Sequence, residues 1–89
     1  MSRAFVNEDA GSGPRRDFHL PPRDDPDYDA VAANVLLEAA RSGDTGAAED
    51  ATGYRWGDAA LHAHVRRLLA DAQKRGDDRL EQLARRFLR

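Results

Sequence analysis

The chain has 89 residues, 34% of them charged, with a mean hydropathy of −0.77 and a formal net charge of −2. That is the length of one domain, and the absence of cysteine excludes disulfide staples, thiol nucleophiles and cysteine metal ligands. No apolar run approaches the ~20 residues that cross a bilayer and no apolar leader core opens the chain, so a soluble, cytoplasmic protein without a membrane partner is expected.

Residues 1–29 hold all four prolines, Pro14, Pro21, Pro22 and Pro26, with Gly11-Ser12-Gly13 just ahead of them. Proline donates no backbone hydrogen bond and biases its predecessor toward extended conformations. No periodic apolar pattern appears there; Ala4-Phe5-Val6, Phe18 and Leu20 come singly or in a short cluster. The reading is a disordered, proline-rich tail over residues 1–25, able to dock a few anchors, followed by a helical domain over residues 26–89.

The organising stretch is residues 30–41, AVAANVLLEAAR. Asp27, Asn34, Glu38 and Arg41 are spaced by seven, four and three, so they share one narrow stripe of a helix, and nearly everything else is Ala, Val or Leu. A helix with so thin a polar stripe needs neighbours on several sides, which makes it the centre of a small bundle. It is expected to start between Pro26 and Asp29, where proline and acids suit the first turn, and to close at Ser42-Gly43 with a left-handed glycine.

A connection follows, DTGAAEDATGYRWG over residues 44–57, with a short helical turn expected at 45–51. It carries Asp44, Glu49 and Asp50, and then Tyr54-Arg55-Trp56 between Gly53 and Gly57. Tyr54 and Trp56 either plug the end of the bundle or serve with Arg55 as a partner-binding anchor, since Trp, Tyr and Arg are enriched in interface hot spots.

A second long helix is predicted over 58–75, N-capped by Asp58, with Leu61, Val65, Leu68, Leu69 and Ala72 on one stripe. A third is predicted over 78–88, started by an Asp78/Glu81 capping box, with Leu80, Leu83, Ala84, Phe87 and Leu88 inside and Arg79, Arg85, Arg86 and Arg89 outside. The short link at Gly76 makes these two helices neighbours. The fold class is therefore all-α: a three-helix bundle or helical hairpin behind a proline-rich tail. LLEAARSGD at 36–44 echoes LLADAQKRGD at 68–77, which reads as two helices ending alike rather than as a repeat array.

Charge is uneven. Residues 59–89 hold eight Lys or Arg against four acids, +4, while residues 1–29 and 30–58 are each −3. The basic end faces either the acidic front or an acidic partner. His62 and His64 are two apart on a helix and diverge too far to clamp one metal, so both are read as surface histidines. There is no glycine-rich phosphate loop and no Ser–His–Asp order that periodicity supports, and neither metal nor cofactor is expected. A domain nearer 60 residues than 89 buries only about 60% of its unfolded surface, so pairing with a second copy or a partner is a natural support.

Ser2-Arg3-Ala4-Phe5-Val6 with Glu8-Asp9 resembles the N-terminal tag of many members of the bacterial Gre transcription-factor family, and Leu20-Pro21-Pro22, Pro26 and Tyr28 resemble the L-P-P…P-x-Y stretch before that family's first coiled-coil helix. The match covers roughly the first 30 residues. The resemblance implies RNA polymerase as partner. In that family, acids at the tip of a helical hairpin help hold a catalytic Mg²⁺ that activates water for phosphodiester cleavage. Here Ala39-Ala40 and Gly43-Asp44 are similar to the family's A-x-x-x-G-D, so Asp44 corresponds by position, and Glu49 and Asp50 only by type. Thr45-Gly46-Ala47 stands where the family has S-E-N, and the helix before it is about half the length needed to reach deep into a channel.

The expectation is thus a non-enzymatic, protein-binding regulator of transcription, contacting RNA polymerase through Arg3, Phe5 and Val6 of the tag and through Tyr54, Arg55 and Trp56. Two alternatives stand beside it. One is a helix–turn–helix-like nucleic-acid binder using Arg79, Arg85, Arg86 and Arg89, against which Asp77, Asp78 and Glu81 would repel phosphates. The other is a helical homodimer that acts as a scaffold.

Overall fold

A computed structural model describes residues 18–89. They form four α-helices: α1 (Tyr28–Arg41), α2 (Thr45–Thr52), α3 (His62–Arg75) and α4 (Asp78–Phe87), with one 3-10 turn at Ala59–Leu61 leading into α3. The all-α class is as expected. The short turn anticipated after α1 is a full eight-residue helix, which adds a fourth member to the bundle.

α1 sits at the centre, in contact with α2, α3 and α4. Tyr28, Ala32, Ala33, Val35, Leu36, Leu37 and Ala39 are buried, while Asn34, Glu38 and Arg41 form the exposed stripe read from the sequence. Leu61, Val65 and Ala72 face it from the 3-10 turn and α3, and Leu80, Leu83, Ala84 and Phe87 from α4 at the i, i+3, i+4, i+7 spacing of one helix face. Leu68, Leu69 and Leu88 are only partly buried, at the edges of their stripes. Packing also extends N-terminal to Pro26, because Phe18 and Leu20 lie against the core. The remainder of the expected tail, residues 1–17, is outside the described residues.

The echo between 36–44 and 68–77 has a structural cause. At the first copy Gly43 N–H donates to Ala40 and Asp44 N–H to Ala39; at the second Gly76 N–H donates to Gln73 and Asp77 N–H to Ala72. Both glycines have φ of +70°. Each is the same C-terminal cap, in which the glycine N–H bonds the carbonyl three residues back and the following N–H the carbonyl five back, and in each the glycine is followed at once by an Asp that precedes the next helix. The cap of α4 is Asp77, whose Oδ1 accepts the Leu80 N–H at 3.1 Å, and not the Asp78 expected from spacing. Glu81 accordingly does not complete a capping box; it accepts from Arg85 one turn on. A Schellman cap hands the chain over with Asp77 already in a non-helical conformation, which leaves Asp78 inside the helix.

One buried hydroxyl joins α1 to α2, and a second closes the C-terminal end of α2. Tyr28 Oη donates to the Thr52 carbonyl at 2.8 Å, and Thr52 Oγ1 donates to the Ala48 carbonyl at 2.8 Å while accepting Tyr54 N–H at 3.1 Å. Gly53 then turns the chain with φ of +80°, and the Arg23 guanidinium lies close enough that a β-carbon there would meet it at 2.8 Å. That guanidinium also lies over the Tyr28 ring, 5.4 Å from its centroid.

Burial ranks the leucines. Leu37 is fully buried, so Leu37→Ala should lower stability by about 2–5 kcal/mol, as large-to-small core changes do. Leu69→Ala, at the edge of its stripe, should lose clearly less. Urea unfolding of both variants checks this, and equal losses would contradict the assignment of the α3 face.

Candidate functional site

The residues 54–56 segment is held from three directions. Tyr54 Oη donates to Asp29 Oδ1 in the first turn of α1 at 2.5 Å. The Trp56 backbone N–H donates to Glu49 Oε2 of α2 at 2.8 Å. The Trp56 ring meets Phe87 of α4 edge-on, with centroids 4.9 Å apart. Tyr54 and Trp56 therefore do close one end of the bundle. Both rings are half-buried, whereas Arg55 is exposed.

Trp56 also borders an open groove of about 280 Å³, lined by Ala40 of α1, Thr45 of α2, and Arg79, Leu83 and Arg86 of α4. Arg79, Leu83 and Arg86 are spaced i, i+4, i+7 and lie on one side of α4. Residues read from the sequence as belonging to two different functions, Trp56 as a protein anchor and Arg79 and Arg86 as phosphate contacts, thus come together in one place. Among the described residues neither Arg79 nor Arg86 has an ion-pair partner. Arg85 is instead paired with Glu81 at 2.9 Å, and neither it nor the exposed Arg89 lines the groove.

The acids do not form a projecting tip. α2 folds back on α1 and buries Ala48 and Thr52. Glu49 turns inward to the Trp56 amide, Asp50 is exposed, and Asp44 is the residue immediately before α2. Among the described residues no three His, Asp or Glu side chains gather to hold a metal ion. The expectation of two surface histidines is corrected. His62 is half-buried, its Nε2 3.0 Å from the Gly57 carbonyl and its ring edge-on to Phe87 at 6.1 Å. His64 is half-buried too, and its Nδ1 is buried without a hydrogen-bond partner among the described residues. Arg3, Phe5 and Val6 of the tag lie outside the described residues.

Sequence reasoning missed the walls of the groove. Ala40, Thr45 and Leu83 carry no motif, and only packing makes them neighbours of Trp56. It missed as well the ion pair of Arg41 with Asp77 (2.5 Å), which ties the end of α1 to the start of α4. Their opposite charges and adjacent glycine caps were the only signal. No helix among the described residues is long and apolar enough to cross a membrane.

No protein-family model, curated protein or solved structure matches this chain.

Among the described residues, two groups titrate away from their ordinary values. The Leu80 N–H bond holds the Asp77 carboxyl below the usual range against the opposing effect of burial, helped by the charge and hydrogen bond of Arg41 and by the charge of Arg75. A depressed carboxylate contributes stability above its unfolded value of 3.8, and that contribution is lost as pH falls through the lower folded value. Stability should therefore decline on acidification below about pH 4–5 more steeply in the wild type than in Asp77→Asn, as read by urea midpoints at stepped pH.

The Tyr54 phenol is raised above 10.0, first by its hydrogen bond to Asp29, then by burial and by the charges of Asp29 and Asp58, with Arg23 opposing. A raised tyrosine contributes stability that is complete below the unfolded value and lost as pH rises through the folded one. Between pH 8 and about pH 11 the wild type should lose more stability than Tyr54→Phe. Parallel curves for the two would mean that the Asp29 bond is not made in solution.

Proposed function

We propose that the chain is a small, non-enzymatic protein-binding regulator with RNA polymerase as its partner. The observation that carries a protein-binding reading is the groove beside Trp56: an aromatic ring only half-covered by its own fold, adjoining two guanidinium groups with no internal ion pair. Partly buried Trp flanked by Arg is the composition of an interface hot spot, where most binding energy concentrates. Polymerase as the partner is supported by the resemblance of Ser2-Arg3-Ala4-Phe5-Val6 and the following proline-rich stretch to the Gre tag.

A cleavage role is not supported. Glu49 is engaged with the Trp56 amide, and α1 is 14 residues, roughly 21 Å long. A role in reading duplex DNA through α4 is also disfavoured. Asp77 caps α4 and Asp78 and Glu81 occupy its first turn, where a recognition helix approaches phosphates, and Glu81 already engages Arg85.

The test is binding of the full chain to purified RNA polymerase. Burial of one Phe in a partner's pocket is worth roughly 1.5–3 kcal/mol, so Phe5→Ala should weaken binding about tenfold or more. Asp44→Ala should leave it nearly unchanged. Absence of wild-type binding would overturn the polymerase assignment. Loss of transcript cleavage in Asp44→Ala with no effect of Phe5→Ala would restore the catalytic-tip reading.

A further inference from the structure

We propose that the Trp56 groove binds an acidic, extended peptide segment carrying an apolar anchor, an inference that rests on the protein-binding reading above. The floor is apolar: Trp56, Leu83 and Ala40. With about 280 Å³ it has room for one large side chain and falls below the size usual for cofactor pockets. Arg79 and Arg86 flank Leu83 along α4, and seven residues of helix separate them by roughly 10.5 Å. An extended chain advances about 3.3 Å per residue and alternates its side chains, so two carboxylates four positions apart with the anchor midway share one face and span roughly 13 Å, within reach of two flexible guanidinium groups.

Both guanidiniums are without an ion-pair partner among the described residues, and the indole Nε1 of Trp56 has no acceptor there either. Three unspent donor groups around an apolar floor favour a ligand that brings acceptors and one greasy side chain together. Glu49 faces the same tryptophan from α2, but its carboxylate accepts from the Trp56 amide. A polyanion tracking along α4 would meet Asp77, Asp78 and Glu81, whereas a short segment reaching only Arg79 and Arg86 need not.

Trp56 is the sole tryptophan, so its emission reports the groove directly. The probe is a capped peptide, Gly-Glu-Ser-Phe-Ser-Glu-Gly, titrated into the full chain at physiological salt, beside the same peptide with Gln for both Glu. The expected result is a saturable change in Trp56 emission with the Glu peptide and about tenfold weaker binding of the Gln peptide, which corresponds to ~1.4 kcal/mol. This comparison needs no variant of the protein. Arg79→Gln and Arg86→Gln should each weaken the Glu peptide severalfold, and Arg66→Gln on exposed α3 should not.

No saturable change up to about 1 mM, the limit of weak specific binding, overturns the proposal, as does equal binding of the two peptides. So does tighter binding of a short DNA duplex that displaces the peptide. A Trp56 signal that changes with protein concentration alone assigns the groove to a second copy instead. Tighter peptide binding by Phe5→Ala assigns it to the chain's own N-terminal segment. Peptide binding without polymerase capture refutes only the polymerase assignment; polymerase capture without peptide binding refutes only the groove assignment.

Discussion

Everything in this fold follows from the fact that α1 can be wet along only one stripe. With Asn34, Glu38 and Arg41 as its exposed positions, the remaining circumference must be covered, and no single partner helix can do so. α3 and α4 take part of it. α2, whose buried residues are just Ala48 and Thr52, covers more by folding back immediately after Gly43. The small side chains Ala32, Ala33 and Ala39 are fully buried and leave room for close packing around α1.

That wrapping explains why the acidic connection is not a tip. A hairpin that projects needs long helices free of lateral neighbours near the turn. Here the Schellman cap at Gly43 and the immediate restart at Thr45 return the chain to the bundle within three residues. Once α2 lies on α1, Glu49 reaches the Trp56 amide, and the carboxylate becomes a brace for the residues 54–56 segment. Tyr54 is braced in the same way by Asp29. The aromatic loop is thus fastened by two acids from two helices, and its tryptophan is left against Phe87 at the edge of the groove.

The Arg41–Asp77 pair shows how one residue can serve two joints. Asp77 caps α4 through one carboxylate oxygen and takes Arg41 with the other, so the start of α4 and the end of α1 are registered to each other. This registration brings the Arg79 and Arg86 side of α4 next to Ala40 and Thr45. The exposed i,i+4 pairs Arg75–Asp71 and Arg85–Glu81 add little to stability by comparison, yet Glu81 matters by occupying Arg85 and leaving its neighbours uncommitted.

The sequence by itself determined the helical class, the polar stripe of α1, the inward faces of α3 and α4 and the glycine stops, because these depend on spacing within one segment. It also carried the echo at Gly43-Asp44 and Gly76-Asp77 whose meaning is a repeated cap. Local pattern misplaced the α4 cap by one residue, since Asp77 and Asp78 are equivalent until the preceding Schellman turn settles which is outside the helix. It could not tell that Glu49 would turn to Trp56, that His62 would pack on Phe87, or that Trp56 would share a groove with Arg79 and Arg86. Those pairs are separated by 7, 25, 23 and 30 positions. Only the packing of α2 and α4 around α1 decided them, because a side chain's partner across a fold is set by the distance between elements and by no periodicity within either one.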